Sequence, residues 1–144
     1  VGTLEYPEMV KMLQVSAAHI YLTYPFVLSW SLMESMAIGC PIVASSTKPV
    51  LEVMEHGVNG RLADFFDHEA VAREVIGLLS AKDRNAGLRE AARKTVVERY
   101  ELGTLLPLQM RLVREVAEGA LPPKVAKDIR ALLDPEDHKA MWWR

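Results

Sequence analysis

Short apolar runs and amphipathic stretches alternate along the first hundred residues, and the alternation predicts strands and helices in turn. Behind Pro7, a residue suited to a first helical turn, Met9, Val10, Leu13 and Ala17 recur at helical spacing. Residues 19–23 are rich in β-formers and are predicted as a strand. Residues 24–29 read as a loop, and residues 30–38 as a helix stopped by Gly39. Residues 41–45 have the unbroken apolar character of a buried parallel strand. A short helix around residues 50–55, a turn at 57–60 and a brief strand at 61–63 complete this stretch. Asp67 then stands where a cap is needed for a helix whose Val71, Val75, Leu78 and Leu79 form one stripe. Leu88, Ala92, Thr95 and Val96 mark a second helical face, and Leu105, Leu108, Leu112, Val113 and Val116 a third. Pro122 and Pro123 break the pattern, and a charged tail runs on to Trp142 and Trp143. Strand–helix alternation of this kind predicts an α/β fold with a parallel sheet.

Composition supports one globular domain. Half of the 144 residues are apolar, and 17 basic side chains stand against 19 acidic ones. Residues 1–66 carry 3 basic and 6 acidic groups and the remainder 14 and 13, which points to solvated helices in the second half. A balance so near neutral gives no footprint for nucleic acid. The one cysteine, Cys40, lies in an apolar run and suits a reducing, cytoplasmic setting as a small buried hydrophobe. The longest apolar stretch, residues 20–33, is interrupted by Pro25 and is too short for a membrane span. Val1 reads as the end of a strand, so the chain is expected to be part of a longer protein.

Parallel sheets bind ligands beyond the carboxyl ends of their strands, where helix N-termini present N–H groups. The predicted strand 19–23 leads into residues 24–29 and then into the helix bearing Glu34. Unpaired N–H groups at residues 28–31, with the helix dipole, suit a diphosphate, and a carboxylate on that helix suits the two hydroxyls of a ribose. By spacing alone Glu34 reads equally as the partner of Ser31 in a Ser-x-x-Glu capping box. Glu52 has a comparable choice between orienting its loop and touching a ligand. Phe26 and Trp30 read as core residues or as stacking surfaces. Met33 and Met36 read as packing, and Gly57 and Gly60 as turn glycines. His19, His56, His68 and His138 show no metal-ligand spacing, so surface or capping roles are expected, with no metal.

Two segments carry a resemblance. Leu32-Met33-Glu34-Ser35-Met36-Ala37-Ile38-Gly39-Cys40-Pro41-Ile42-Val43-Ala44-Ser45 closely resembles the LLEAMA-x-G-x-PVVAS stretch of family-4 glycosyltransferases. Glu52-Val53-Met54-Glu55-His56-Gly57-Val58-Asn59-Gly60-Arg61-Leu62 resembles their E-x-x-x-x-G-x-N-G-x-L segment. Residues 67–79 are similar to the helix that follows, and Arg99-Tyr100 to the end of the next. The likeness runs from Val1 to about Val116 and implies the C-terminal half of a GT-B donor domain: a partial, Rossmann-like, three-layer α/β unit followed by C-terminal helices. On this view residues 1–120 are the partial donor-binding domain, and residues 121–144 a charged tail, helical or disordered.

The resemblance further implies a retaining transfer of sugar from a nucleotide diphosphate donor, with no metal or other cofactor in this domain. Glu34 would bind the ribose hydroxyls. Leu28 and Ser29, with the helix start at Trp30 and Ser31, would offer backbone groups to phosphates and sugar. The chemistry would rest on electrostatic stabilisation of the departing diphosphate. The implied partners are a nucleotide sugar, a glycan or glycoconjugate acceptor met through a preceding domain, and a membrane surface in peripheral contact with the parent. The sequence departs from the family at two places: Phe26 stands where the family has a sugar-contacting glutamate, and Ser29 where a glycine is common. The resemblance also implies a first βα portion and a preceding acceptor domain, neither of which can be placed in these 144 residues. The piece alone is therefore expected to be inactive, and either to self-associate through its uncovered surfaces or to cover them with the tail that carries Trp142 and Trp143. The competing reading is a non-catalytic GT-B-like binding or scaffolding domain, which Phe26 favours.

Overall fold

The computed structural model describes residues 2–24, 27–81 and 85–120. The chain divides into two units, the second beginning at Leu102.

The first unit is built on a three-stranded sheet in the order β1-β2-β3, comprising β1 (His19–Tyr21), β2 (Ile42–Ser45) and β3 (Arg61–Ala63). Both pairings are parallel, with His19 opposite Ile42 and Val43 opposite Arg61. All four residues of β2 are buried, as a central strand covered on both faces must be. Its side chains divide by the two-residue period of a strand. Ile42 and Ala44 join Tyr21, Leu32, Met36, Val50, Val53, Met54 and Ala92 on one face, whereas Val43 meets Ala63, Val71 and Leu78 on the other. The first face is covered by α2 (Trp30–Ile38), α3 (Lys48–Leu51) and α5 (Ala86–Tyr100), the second by α4 (His68–Ser80). Helix, sheet and helix make the three layers that the resemblance implied. The remaining helix of the unit, α1 (Tyr6–Val15), packs against α2.

Several boundaries differ from the sequence-based expectation. The first strand is three residues long, because the Thr23 backbone turns from the ladder to a side chain: Thr23 N–H donates to Ser45 Oγ at 3.1 Å, and Ser45 Oγ donates to Thr23 O at 3.0 Å. Ala17 lies beyond the end of α1. The short helix sits at Lys48–Leu51, earlier than expected, with Pro49 in its first turn. Residues 53–55 are taken up by a turn organised around buried Asn59. Its Nδ2 donates to Val53 O and Thr95 Oγ1, and its Oδ1 accepts from Glu55 N–H at 2.7 Å. A Cβ on Gly60 would meet the terminal methyl of Met54, which would have to shift to admit it. Leu79, expected in the apolar stripe of α4, is half exposed. Among residues 2–5 there is no strand, and Val1 lies outside the described residues.

In the second unit, α6 (Leu102–Ala117) is an amphipathic helix with Pro107 inside it and Leu102, Leu106, Val113 and Val116 exposed. The tail with Pro122, Pro123, Trp142 and Trp143 lies outside the described residues. No helix of the described residues is long and apolar enough to cross a membrane.

Candidate functional site

The carboxyl ends of the three strands share one edge of the sheet, because all three run parallel. From this edge the chain leaves into residues 22–29, 46–47 and 64–67. Open α/β sheets hold ligands at such an edge.

The loop after β1 is tied back to the strand it leaves. Buried Tyr21 accepts the Ser29 N–H on its phenolic oxygen at 3.1 Å, and half-buried Leu28 packs on the core beside it. Ser29 has extended backbone angles, φ −81° and ψ 144°, and caps α2: its Oγ accepts the Ser31 N–H at 3.2 Å and lies 2.9 Å from Ser31 Oγ. A serine thus serves where the resembling family favours glycine, since this backbone conformation needs no freedom beyond that of an L-residue. It also corrects the expectation of unpaired donors at residues 28–31. The Ser29 and Ser31 N–H groups are engaged, while the Trp30 N–H has no partner among the described residues.

The same cap removes the capping-box reading of Glu34. A Ser31–Glu34 capping box needs Ser31 as the cap and Glu34 as the third helical residue. With Ser29 as the cap, the third residue is Leu32 and Glu34 is the fifth. Glu34 has no capping duty. It is half-buried, and the exposed Tyr6 phenol, at the first position of α1, lies beside it. The Glu34 charge, with burial and a hydrogen bond as smaller causes, raises the Tyr6 pKa above its ordinary 10.0. Trp30 precedes Glu34 by four residues and so shares its helical face. It is 82% exposed, which rules out the core-packing reading.

The structure therefore gathers Leu28, Ser29, Trp30, Ser31 and Glu34 at one helix start and adds Tyr6, which the sequence did not single out. The signal for Tyr6 was slight: Pro7 marks the helix start, but only the packing of α1 on α2 brings the phenol to Glu34. Phe26 lies outside the described residues. Glu52, exposed at the end of α3, lines a groove of about 390 Å³ with Asn59, Thr95 and Arg99. Cys40 is buried, and burial pushes its thiol pKa upward, as suits an inert core residue. His56 serves a turn, its Nδ1 accepting the Leu62 N–H at 3.0 Å. No group of three or more His, Cys, Asp or Glu side chains among the described residues is placed to hold a metal ion. A depression of about 610 Å³, lined by Gly57, Arg61, Asn85 and Leu88, lies near the amino end of β3, away from the edge that carries Glu34.

Residues 1–95 match the model of the family described as Glycosyl transferases group 1. Over 69 residues the chain is 33% identical to N-acetyl-alpha-D-glucosaminyl L-malate synthase of Bacillus anthracis, covering 48% of this chain and 18% of that protein. Over 98 residues it is 35% identical to phosphatidyl-myo-inositol mannosyltransferase of Mycobacterium leprae (strain TN), covering 66% of this chain and 25% of that one. Among solved structures, Anabaena HepE in complex with UDP superposes with a TM-score of 0.68 at 20% identity, covering 73% of this chain and 29% of HepE. TarM superposes with a TM-score of 0.51 at 24% identity, covering 57% of this chain and 17% of TarM. The chain thus spans a quarter or less of the two curated relatives, and the structural matches establish the fold.

Proposed function

Because the chain belongs to the Glycosyl transferases group 1 family, we propose that it is the donor-binding part of a retaining glycosyltransferase acting on a glycan or glycoconjugate. In this reading Glu34 accepts the two ribose hydroxyls of a nucleotide diphosphate sugar. The start of α2 faces the diphosphate, with the Trp30 N–H and the helix dipole as its attractive elements. The Ser29 N–H joins them once it exchanges Tyr21 for a phosphate oxygen. Leaving-group charge is then met by fixed backbone dipoles, which need no metal in this domain. The observation that carries the reading is Glu34 itself: a half-buried carboxylate in the second turn of α2, free of capping duty, inside the segment that matches the family. That HepE was solved with UDP supports a nucleotide diphosphate as the ligand class.

In the intact polypeptide that carries this chain, Glu34→Ala should weaken UDP binding by about 1–3 kcal/mol, the range for losing charge-assisted hydrogen bonds. That is about 5- to 150-fold in Kd by titration calorimetry. Unchanged affinity would rule out the ribose role. The substitution of Phe26 for the family's sugar-contacting glutamate favours a second reading, a binding domain without turnover. UDP binding without sugar transfer in the intact protein would select it.

A further inference from the structure

Three aromatic side chains outside the Glu34 site meet at the same edge of the sheet. Tyr24 follows β1, and Phe65 and Phe66 follow β3. The Phe65 and Phe66 ring centroids are 5.0 Å apart at 84°; Tyr24 lies 5.7 Å from Phe65 at 80° and 6.3 Å from Phe66 at 76°. Every pair is edge-to-face, an arrangement that favours a fixed cluster. Since β1 and β3 flank β2, the cluster joins the loops of the two outer strands across the end of the central one.

A cluster built only for stability would hide its rings. Here Phe65 is half-buried, but Tyr24 and Phe66 are 64% and 68% exposed. Hydrogen bonds hold their loop in place: Phe66 N–H donates to Asp64 Oδ1 at 2.8 Å, Asp67 N–H to Asp64 O at 3.2 Å, and Ala70 N–H to Asp67 Oδ1 at 2.8 Å. Phe66 is thus presented to solvent by an ordered turn leading into the capped start of α4. Exposed Lys48 and Asp64 follow β2 and β3 at the same edge of the sheet.

We propose that Tyr24, Phe65 and Phe66 form a stacking platform for a pyranose ring. The face of an aromatic ring is electron-rich. A pyranose offers it a face of weakly positive C–H groups, with hydroxyls pointing outward to rim groups such as Lys48 and Asp64. The choice of a sugar rests on the glycosyl-transfer reading above, and on continuity: Tyr24 lies in the same connection, residues 22–29, that leads to Ser29 and Glu34. The ring belongs either to the donor sugar or to the acceptor glycan, two sources of the same chemistry.

Saturation-transfer NMR on the intact protein, with irradiation of aromatic protons, tests the platform using the methyl α-pyranosides of glucose, galactose and mannose. At least one should receive saturation on its C–H protons. Tyr24→Ala and Phe66→Leu should each reduce that signal at least threefold, whereas Tyr24→Phe and Phe66→Tyr should keep it. Phe66→Leu retains apolar bulk, so its loss reports the ring and not the fold. UDP affinity, measured in parallel, should be the same in all four variants. Comparison of UDP-glucose with UDP assigns the source: a donor platform weakens only UDP-glucose in Phe66→Leu, and an acceptor platform leaves both unchanged. No signal from any of the three pyranosides, or equal signal in every variant, overturns the platform. Pyranoside binding without UDP binding keeps the platform and overturns the nucleotide reading instead.

Discussion

At the scale of single residues, the distinction between a group with a structural duty and one without it did most to define the site. Ser29 caps, Tyr21 holds the loop and Asn59 organises a turn, each through identified hydrogen bonds. Glu34 has no such capping duty, and the Tyr6 phenol lies beside it. His19 shows a different consequence of burial. Its Nε2 is buried with no hydrogen-bond partner among the described residues, and burial pushes its pKa below the ordinary 6.5. Well above pH 6.5 the ring is neutral in both folded and unfolded chains, so its contribution to stability is fully present. As the pH falls below 6.5, the unfolded chain takes up a proton before the folded one, and stability is lost toward the lower folded pKa. Urea denaturation should show this loss, with a slope of at most about 1.4 kcal/mol per pH unit from this residue. His19→Phe should flatten it. A slope that survives the substitution would assign the effect to another group.

At the scale of elements, α2 is the piece on which the candidate site depends. It begins at the Ser29 cap and stops at Gly39, whose left-handed φ of 75° ends a helix readily. Nine residues make a short helix, so its first turn depends on the cap. Ser29→Ala should cost about 1 kcal/mol, the usual loss for an N-cap serine. For a unit of this size that lowers Tm by roughly 4–8 °C, while Ser29→Gly should cost only a few tenths of a kcal/mol. Calorimetric melting of the three proteins checks the order. Equal melting temperatures would mean that packing of Leu32 and Met36 alone sets the helix start.

At the scale of the whole molecule, the first unit has an uneven surface. On the β1 side, Ile20 and Leu22 are 49% and 43% exposed, and no described strand pairs with the outer edge of β1. An open edge with apolar neighbours invites pairing with another chain. The isolated chain is therefore expected to associate at concentrations of about 1 mM, and Ile20→Lys, which places a charge on the edge strand, should return it to monomer. Light scattering decides this, and a monomeric wild-type chain at that concentration would sink the expectation. Cover from Trp142 and Trp143, the other route considered from the sequence, falls outside the described residues.

The sequence by itself determined the element order, the parallel sheet and the burial of β2, since these follow from local apolar period, caps and breakers. It also located Gly39, the Asp67 cap and the helix that carries Glu34, where each residue acts on its near neighbours. It did not determine which serine caps α2, because Ser29 and Ser31 both stand at the start of the helical run and the fold around Tyr21 selects between them. It did not bring Tyr6 to Glu34, or Tyr24 to Phe65 and Phe66. Those groups are separated by 28 and about 41 positions in the chain. They meet because α1 packs on α2 and because β2 lies between β1 and β3. Local patterning fixes what a segment becomes, whereas the side chains that share a surface depend on how sheet order closes long loops. That closure reflects the packing of the whole core, which no short window of residues contains.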